Sequence, residues 1–269
     1  MAQKLLNGTF KNGIPYLRFG AGAKTLLFFA GGPGNLVPTG FGASGFTRGM
    51  KAFCEEYTIY LVTRKSGLPE GYTTQNMSDD YAELIRQEFR GHVDLILGMS
   101  YGGLIAQHFA ADYPDLFDHL VITVSAHKIS DAAKQIDAQY ADLIHQRKDR
   151  DAMAQRAQAA FPSGPLKAVM SAVLWTVGKP LLGTLTDTFR NDVVIEAQAE
   201  LAHDSLESLK RIRVPVLIVG GGDDFAFPIS YMKEMANLIE NATLKIYEGT
   251  HMTAFLDKRF VQDVREFTK

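Results

Sequence analysis

Five short runs, at residues 25–30, 57–62, 93–97, 120–124 and 214–219, are apolar at almost every position instead of at every second one. A strand with one wet face alternates, whereas a strand apolar throughout is covered on both faces. Helical periodicity fills the intervals at 77–89, 104–113, 231–239 and 260–267. In the last of these, Phe260, Val261, Val264 and Phe267 make one apolar stripe. Strand and helix alternating in this way require a mostly parallel sheet with helices on both faces, an α/β fold. A weaker final strand is expected at 244–247. Two more, at 4–10 and 14–19, flank Lys11-Asn12-Gly13 and predict an antiparallel hairpin at the front of the chain. With 269 residues, 46% of them hydrophobic, the chain is long enough for one such core and an inserted subdomain.

The rhythm breaks between Ser125 and Ile212, where helical patterns such as Ile136, Tyr140, Leu143 and Ile144 appear without a strand, punctuated by Pro162, Pro165 and Pro180. A connection this long must carry its own structure. It leaves the carboxyl end of the sheet, where open α/β folds bind ligands. The expected organisation is a core of residues 1–127 and 211–269, with a helical cap inserted at 128–210.

Charge narrows the function. Lys and Arg number 28 against 30 Asp and Glu, for a net charge of −2, so no basic surplus points to nucleic acid or an anionic membrane. Residues 1–8 hold no apolar stretch long enough for a signal peptide, and no run elsewhere approaches the length of a membrane span. The single cysteine, Cys54, has no internal disulfide partner and fits a reducing compartment. The expectation is a soluble, cytoplasmic protein; oligomeric state leaves no trace in the sequence. Histidine and cysteine show no metal-ligand spacing, and the glycine-rich loops lack the phosphate-cradling patterns. A cofactor-free and metal-free mechanism is therefore expected.

Such a mechanism has a natural centre. The run at 93–97 passes through Gly98-Met99-Ser100-Tyr101-Gly102 into a helical segment, so a serine flanked by glycines sits between strand and helix. That is the form of a nucleophile elbow, a strained turn that exposes the serine hydroxyl. The hydroxyl needs a base, normally a histidine, and the histidine needs a carboxylate to hold its tautomer. Both occur later in the chain at strand ends: Gly220-Gly221-Gly222-Asp223-Asp224-Phe225-Ala226-Phe227-Pro228, then Glu248-Gly249-Thr250-His251-Met252.

On these motifs the chain resembles the α/β-hydrolase superfamily along essentially its whole length. The resemblance implies an α/β-hydrolase fold with Ser100 as nucleophile, Asp224 as acid and His251 as base, Asp223 being the substitute acid. It also implies an oxyanion hole from two backbone N–H groups. One is Tyr101, directly after the nucleophile. The other is Gly32 in the loop Ala30-Gly31-Gly32-Pro33-Gly34, where Ala30 stands in place of the histidine that usually braces the family's loop. Aspartate, which epoxide hydrolases and haloalkane dehalogenases place at the nucleophile, is absent from position 100. Perhydrolases use the same three residues and are not separated from hydrolases by sequence.

The implied activity is hydrolysis of a small-molecule carboxylic ester. His127, beneath the expected cap, and Trp175 are candidate substrate-binding residues, with Met153, Phe161, Met170 and Leu174 as further apolar candidates. Two alternatives stand beside this reading. Gly31-Gly32-Pro33-Gly34 resembles the loop of proline iminopeptidases, and Glu196, Glu200, Asp204 and Glu207 can offer a carboxylate to a substrate amine. Against that, tyrosine follows the serine where those enzymes have tryptophan, and the four acids read more simply as a solvated helix face. The other alternative is a non-catalytic small-molecule binder or receptor on the same fold.

Overall fold

The structure, a computed structural model, describes residues 5–160 and 165–269, with side chains at all of these except 157–160, 165, 166 and 179–182. It opens with an antiparallel pair, β1 (Leu6–Thr9) and β2 (Pro15–Gly20), followed by β3 (Lys24–Phe29), α1 (Gly40–Gly49) and β4 (Tyr57–Val62). Next come α2 (Thr74–Glu88), β5 (Val93–Met99), α3 (Tyr101–Asp112) and β6 (Phe117–Thr123). Five helices then follow in succession: α4 (Asp131–His145), α5 (Asp149–Ala160), α6 (Pro165–Leu182), α7 (Asp187–Leu201) and the short α8 (Leu206–Leu209). The chain finally re-enters the sheet with β7 (Val216–Gly221), α9 (Ile229–Leu238), β8 (Ala242–Tyr247), α10 (His251–Phe255) and α11 (Lys258–Phe267).

All eight strands form one sheet in the order β1-β2-β4-β3-β5-β6-β7-β8. From β4 through β8 every pairing is parallel, and only the opening hairpin and its junction with β4 are antiparallel. The apolar runs behave as their composition requires. Leu27, Phe29 and Ile96 join a core that includes Tyr81 of α2 and Phe109 of α3, while Leu26, Phe28, Leu95 and Leu97 face Phe260 and Val264 of α11. The central strands β3 and β5 thus bury both faces, which favours uniformly apolar residues over alternation.

Several elements depart from the pattern-based expectation, among them α10, which makes His251 the start of a helix. Helix α2 starts at Thr74, because Thr73 and Asn76 close a capping box ahead of the first periodic apolar residue. Helix α1 has no counterpart in the predicted elements: its sequence, GFGASGFTRG, is glycine-rich and lacks a helical stripe. It is held by packing, with Phe46 meeting Phe28 edge-on at 5.0 Å.

Candidate active site

The three residues expected to act together hang from the carboxyl ends of three parallel strands, and the structure brings them into contact. Ser100 follows β5, Asp224 follows β7 and His251 follows β8. His251 Nε2 lies 3.1 Å from Ser100 Oγ, and His251 Nδ1 lies 2.8 Å from Asp224 Oδ2. A chain of this kind can move the hydroxyl proton onto the imidazole while the carboxylate stabilises the resulting cation.

Local backbone geometry explains each placement. Ser100 has φ 52° and ψ −118°, a strained conformation for a residue with a side chain. The two flanking glycines are required by space. A Cβ at position 98 would meet Gly103 Cα at 2.9 Å, and one at 102 would lie 2.1 Å from Phe29 O. Without them, α3 cannot press against β3 and β5 closely enough to make the turn. Asp224 is buried, and its Oδ1 accepts from the N–H groups of Ala226 and Phe227 at 2.9 and 3.0 Å, leaving Oδ2 for the histidine. Asp223, by contrast, is exposed. His251 is the first residue of α10 and stacks on Phe227, with ring centroids 5.7 Å apart.

Two backbone donors border the serine. Tyr101 opens α3, so its N–H has no intrahelical acceptor and sits at the positive end of the helix. The loop after β3 lies against the serine closely enough that a Cβ on Gly31 would stand 3.1 Å from Ser100 Cβ, and Gly32 adopts φ 65°. Ala30 leaves this loop without the usual histidine, but a different group braces it. Buried Arg64, just beyond β4, donates from Nη1 to Ala30 O at 2.9 Å and from Nη2 to Gly32 O and Gly34 O at 2.5 and 2.7 Å. Its charge is met by Glu196 of α7, whose Oε2 accepts from Arg64 Nη2 at 2.8 Å and from Gly34 N–H at 2.5 Å. Burial by itself would lower the guanidinium pKa, yet the adjacent Glu196 carboxylate raises it above its ordinary value. Tyr101 joins the assembly by donating its hydroxyl to Glu196 O at 2.8 Å. The absence of a histidine at position 30 was visible in the sequence. An arginine 34 residues later acting as the brace gave no local signal.

Ser100 and His251 open onto a cavity of about 350 Å3 that is walled by the Gly31–Gly32 loop, Phe46, Phe225–Phe227 and Met252, together with Ala133, Ile136 and Asp137 of α4, Arg156 of α5 and Glu200 of α7. Several expectations fail here. His127 is fully buried outside the cavity, with Nε2 facing Glu234 at 3.4 Å and its ring beside Tyr231, so it cannot touch a ligand held at Ser100. Trp175 points to the outer side of α6, 43% exposed, and donates to Asp151 Oδ1 at 3.0 Å. Met153, Met170 and Leu174 also lie off the cavity wall, and Phe161 falls outside the described residues. Glu196 and Glu200 are no solvated face: both are buried, while Asp204 and Glu207 are exposed. Periodicity does not distinguish a charge that faces water from one that faces a partner in the fold. No group of three or more His, Cys, Asp or Glu side chains is arranged to hold a metal ion among the described residues. No helix among them is long and apolar enough to cross a membrane.

A serine–histidine–aspartate relay at the carboxyl ends of parallel strands, beneath a second layer of helices, defines the class to which the site belongs. The family model for the alpha/beta hydrolase fold matches residues 25–258, and the chain belongs to that family. A non-heme chloroperoxidase of Kitasatospora aureofaciens is 42% identical over 69 residues; the match spans 24% of this chain and about a quarter of that relative's length (25%). Among solved structures, an alpha/beta hydrolase enzyme from a Medee basin deep-sea metagenome library superimposes with a TM-score of 0.77 at 19% identity, covering 97% of this chain and 96% of the other. The enol-lactonase from Burkholderia xenovorans gives a TM-score of 0.74 at 18% identity, covering 97% and 99%. At these identities the likeness is one of fold.

Proposed function

We propose that the protein is a serine hydrolase that cleaves a small carboxylic ester through an acyl-enzyme on Ser100. The observation that carries this reading is the continuous hydrogen-bonded line from Asp224 through His251 to Ser100 at the wall of a cavity. In this mechanism His251 Nε2 takes the Ser100 proton as Oγ attacks the acyl carbon, and Asp224 stabilises the imidazolium. The N–H groups of Gly32 and Tyr101 receive the developing oxyanion. His251 then returns the proton to the departing alkoxide. In the second half it deprotonates water, which attacks the acyl carbon, and it passes that proton to Ser100 Oγ as the acid departs. Residues 128–210 act as a cap over this site, their helices supplying one wall of the cavity. The cavity size fits a small substrate.

Short nitrophenyl esters, assayed beside a proline arylamide, test the reading. Ester turnover that disappears in Ser100→Ala, with fluorophosphonate labelling of Ser100 in the wild type, is the expected result. Amide turnover far above ester turnover would assign the site to a peptidase, and an unlabelled, inactive Ser100 would favour a receptor.

A further inference from the structure

The acyl-transfer groups leave part of the cavity unused, and that part is unbalanced in charge. Asp137 of α4, Arg156 of α5 and Glu200 of α7 all line it. Arg156 Nη1 stands 3.6 Å from Asp137 Oδ1, beyond hydrogen-bond distance, and its guanidinium rests over the Tyr140 ring at 4.7 Å. Glu200 is only 3% exposed, and its Oε2 is buried without any hydrogen-bond partner. Glu196, one turn earlier on the same helix, is paired with Arg64, which makes no hydrogen bond to Glu200 and acts on it only through space. Two carboxylates therefore face one guanidinium. A buried carboxylate lacking a partner does not remain ionised on its own; it takes up a proton or gains a cation. Burial, then the charge of Asp137, pushes the Glu200 carboxyl well above the usual carboxylate range. Burial also pushes Asp137 up, against the pull of Arg156 and His251.

We propose that Glu200 and Asp137 form a subsite for an ammonium group on the substrate, which neutralises their excess charge and hydrogen-bonds to the Glu200 carboxylate. The inference deepens the proposed ester hydrolysis and rests on that reading for the scissile bond: the substrate is an ester carrying a primary or secondary amine on its acyl or alcohol side. An ammonium supplies donors as well as charge, and the cavity lacks both at Glu200. A carboxylate ligand would find a single partner, Arg156, and two repelling acids. The charged groups around Glu200 are Asp137 from α4, Arg156 from α5, Arg64 from beyond β4 and Glu196 from its own helix. After Arg64 and Glu196 cancel, the set retains one negative charge.

Binding can be read without turnover in the full-length Ser100→Ala protein, by calorimetric titration at pH 8 with n-butylammonium, n-butanol and butyrate. Butylammonium is expected to bind at least about tenfold more tightly than either of the others. That advantage is expected to vanish in Ser100→Ala/Glu200→Gln, to shrink in Ser100→Ala/Asp137→Asn, and to decline at lower pH as the carboxyls take up protons. Equal binding of the three probes, tighter binding of butyrate, or an ammonium preference that survives both substitutions would overturn the subsite. If the Glu200 variant does not fold, as judged by circular dichroism, the Asp137 variant decides alone. Turnover of nitrophenyl butyrate by the wild type is a separate readout. Its absence alongside selective ammonium binding removes the ester reading and leaves the subsite standing, and its presence without selectivity does the reverse.

Discussion

Arg64 and Glu196 lie 2.8 Å apart, both wholly buried, and between them they tie the helix α7 to the loop that carries the Gly32 N–H. One guanidinium holds three carbonyls of that loop, and one carboxylate oxygen holds its Gly34 N–H. On the proposed mechanism, the donor geometry for the oxyanion thus depends on a contact between α7 and the core.

Breaking one half of this pair should damage stability and chemistry together. Arg64→Met or Glu196→Gln is expected to cost about 3–5 kcal/mol, since each strands a buried charge or its partners. The double replacement Arg64→Met/Glu196→Met should regain much of that loss, because a buried ion pair replaced by apolar side chains is often close to neutral. Acylation should not recover with it, since the loop stays unbraced. Denaturant unfolding beside burst kinetics on a nitrophenyl ester separates the two effects; full recovery of the acylation rate would show that the brace has no part in chemistry.

Single removals from the relay should have unequal but overlapping effects. Ser100→Ala and His251→Ala are each expected to lower kcat by about 10^4- to 10^6-fold, with the double variant no worse than either. Asp224→Asn should cost about 10^4-fold, through the wrong histidine tautomer more than through lost geometry. Additive losses in the double variant, measured at saturating ester, would mean that the two side chains do not act as one unit.

Tight packing at the elbow makes a contrasting prediction for two glycines. Gly102→Ala would force a Cβ to within 2.1 Å of Phe29 O and should destabilise the protein by at least about 2 kcal/mol. Gly45, in the middle of α1, has open space at its Cβ position, and Gly45→Ala should stabilise by about 0.5–1 kcal/mol. Thermal melts of the two variants in one buffer are the check.

Buried histidines should make the fold acid-sensitive. Burial lowers the pKa of His108, His127 and His203, most strongly that of His203, where His108 and His127 add repulsion. Each therefore binds its proton more weakly in the folded chain than in the unfolded one, whose histidines titrate near about 6.5. Between those values the unfolded chain holds more protons, so their contribution is complete above about pH 6.5 and is lost as the pH falls. The melting temperature should drop from pH 7 to pH 5, and less steeply in His203→Gln. Glu200 has the opposite sign. Its raised pKa gives a contribution that is present in acid and lost as the pH rises through the folded value, so Glu200→Gln should gain stability on the alkaline side.

Much of the architecture was legible in the residues because both-face burial writes itself into every position of a strand. The runs ending near Leu97 and Val219 fell within one or two residues of β5 and β7. Ser100, Asp224 and His251 were likewise legible, since each sits where a strand runs out and its neighbours are constrained by local turn geometry. The cavity wall was not. Asp137, Arg156 and Glu200 come from three different helices and converge only after those helices pack; of the three, Glu200 alone stood out in the sequence, as one of four acids able to face a substrate amine. His127 stood out by its place beneath the expected cap and Trp175 by its apolar character within it, and packing puts both away from the cavity.

The position of β8 carries a last consequence. Asp224 and His251 depend on β7 and β8, and β8 is the final strand of the sheet, paired on one side only, with Tyr247 alone of its six residues buried. Edge strands of this kind open at lower free energy than the centre of a sheet. The proposed base is therefore mounted at an edge of the sheet, while the proposed nucleophile follows β5 near its centre. On warming, activity should fade reversibly before the fold melts, with hydrogen exchange along residues 242–247 rising in step with the loss.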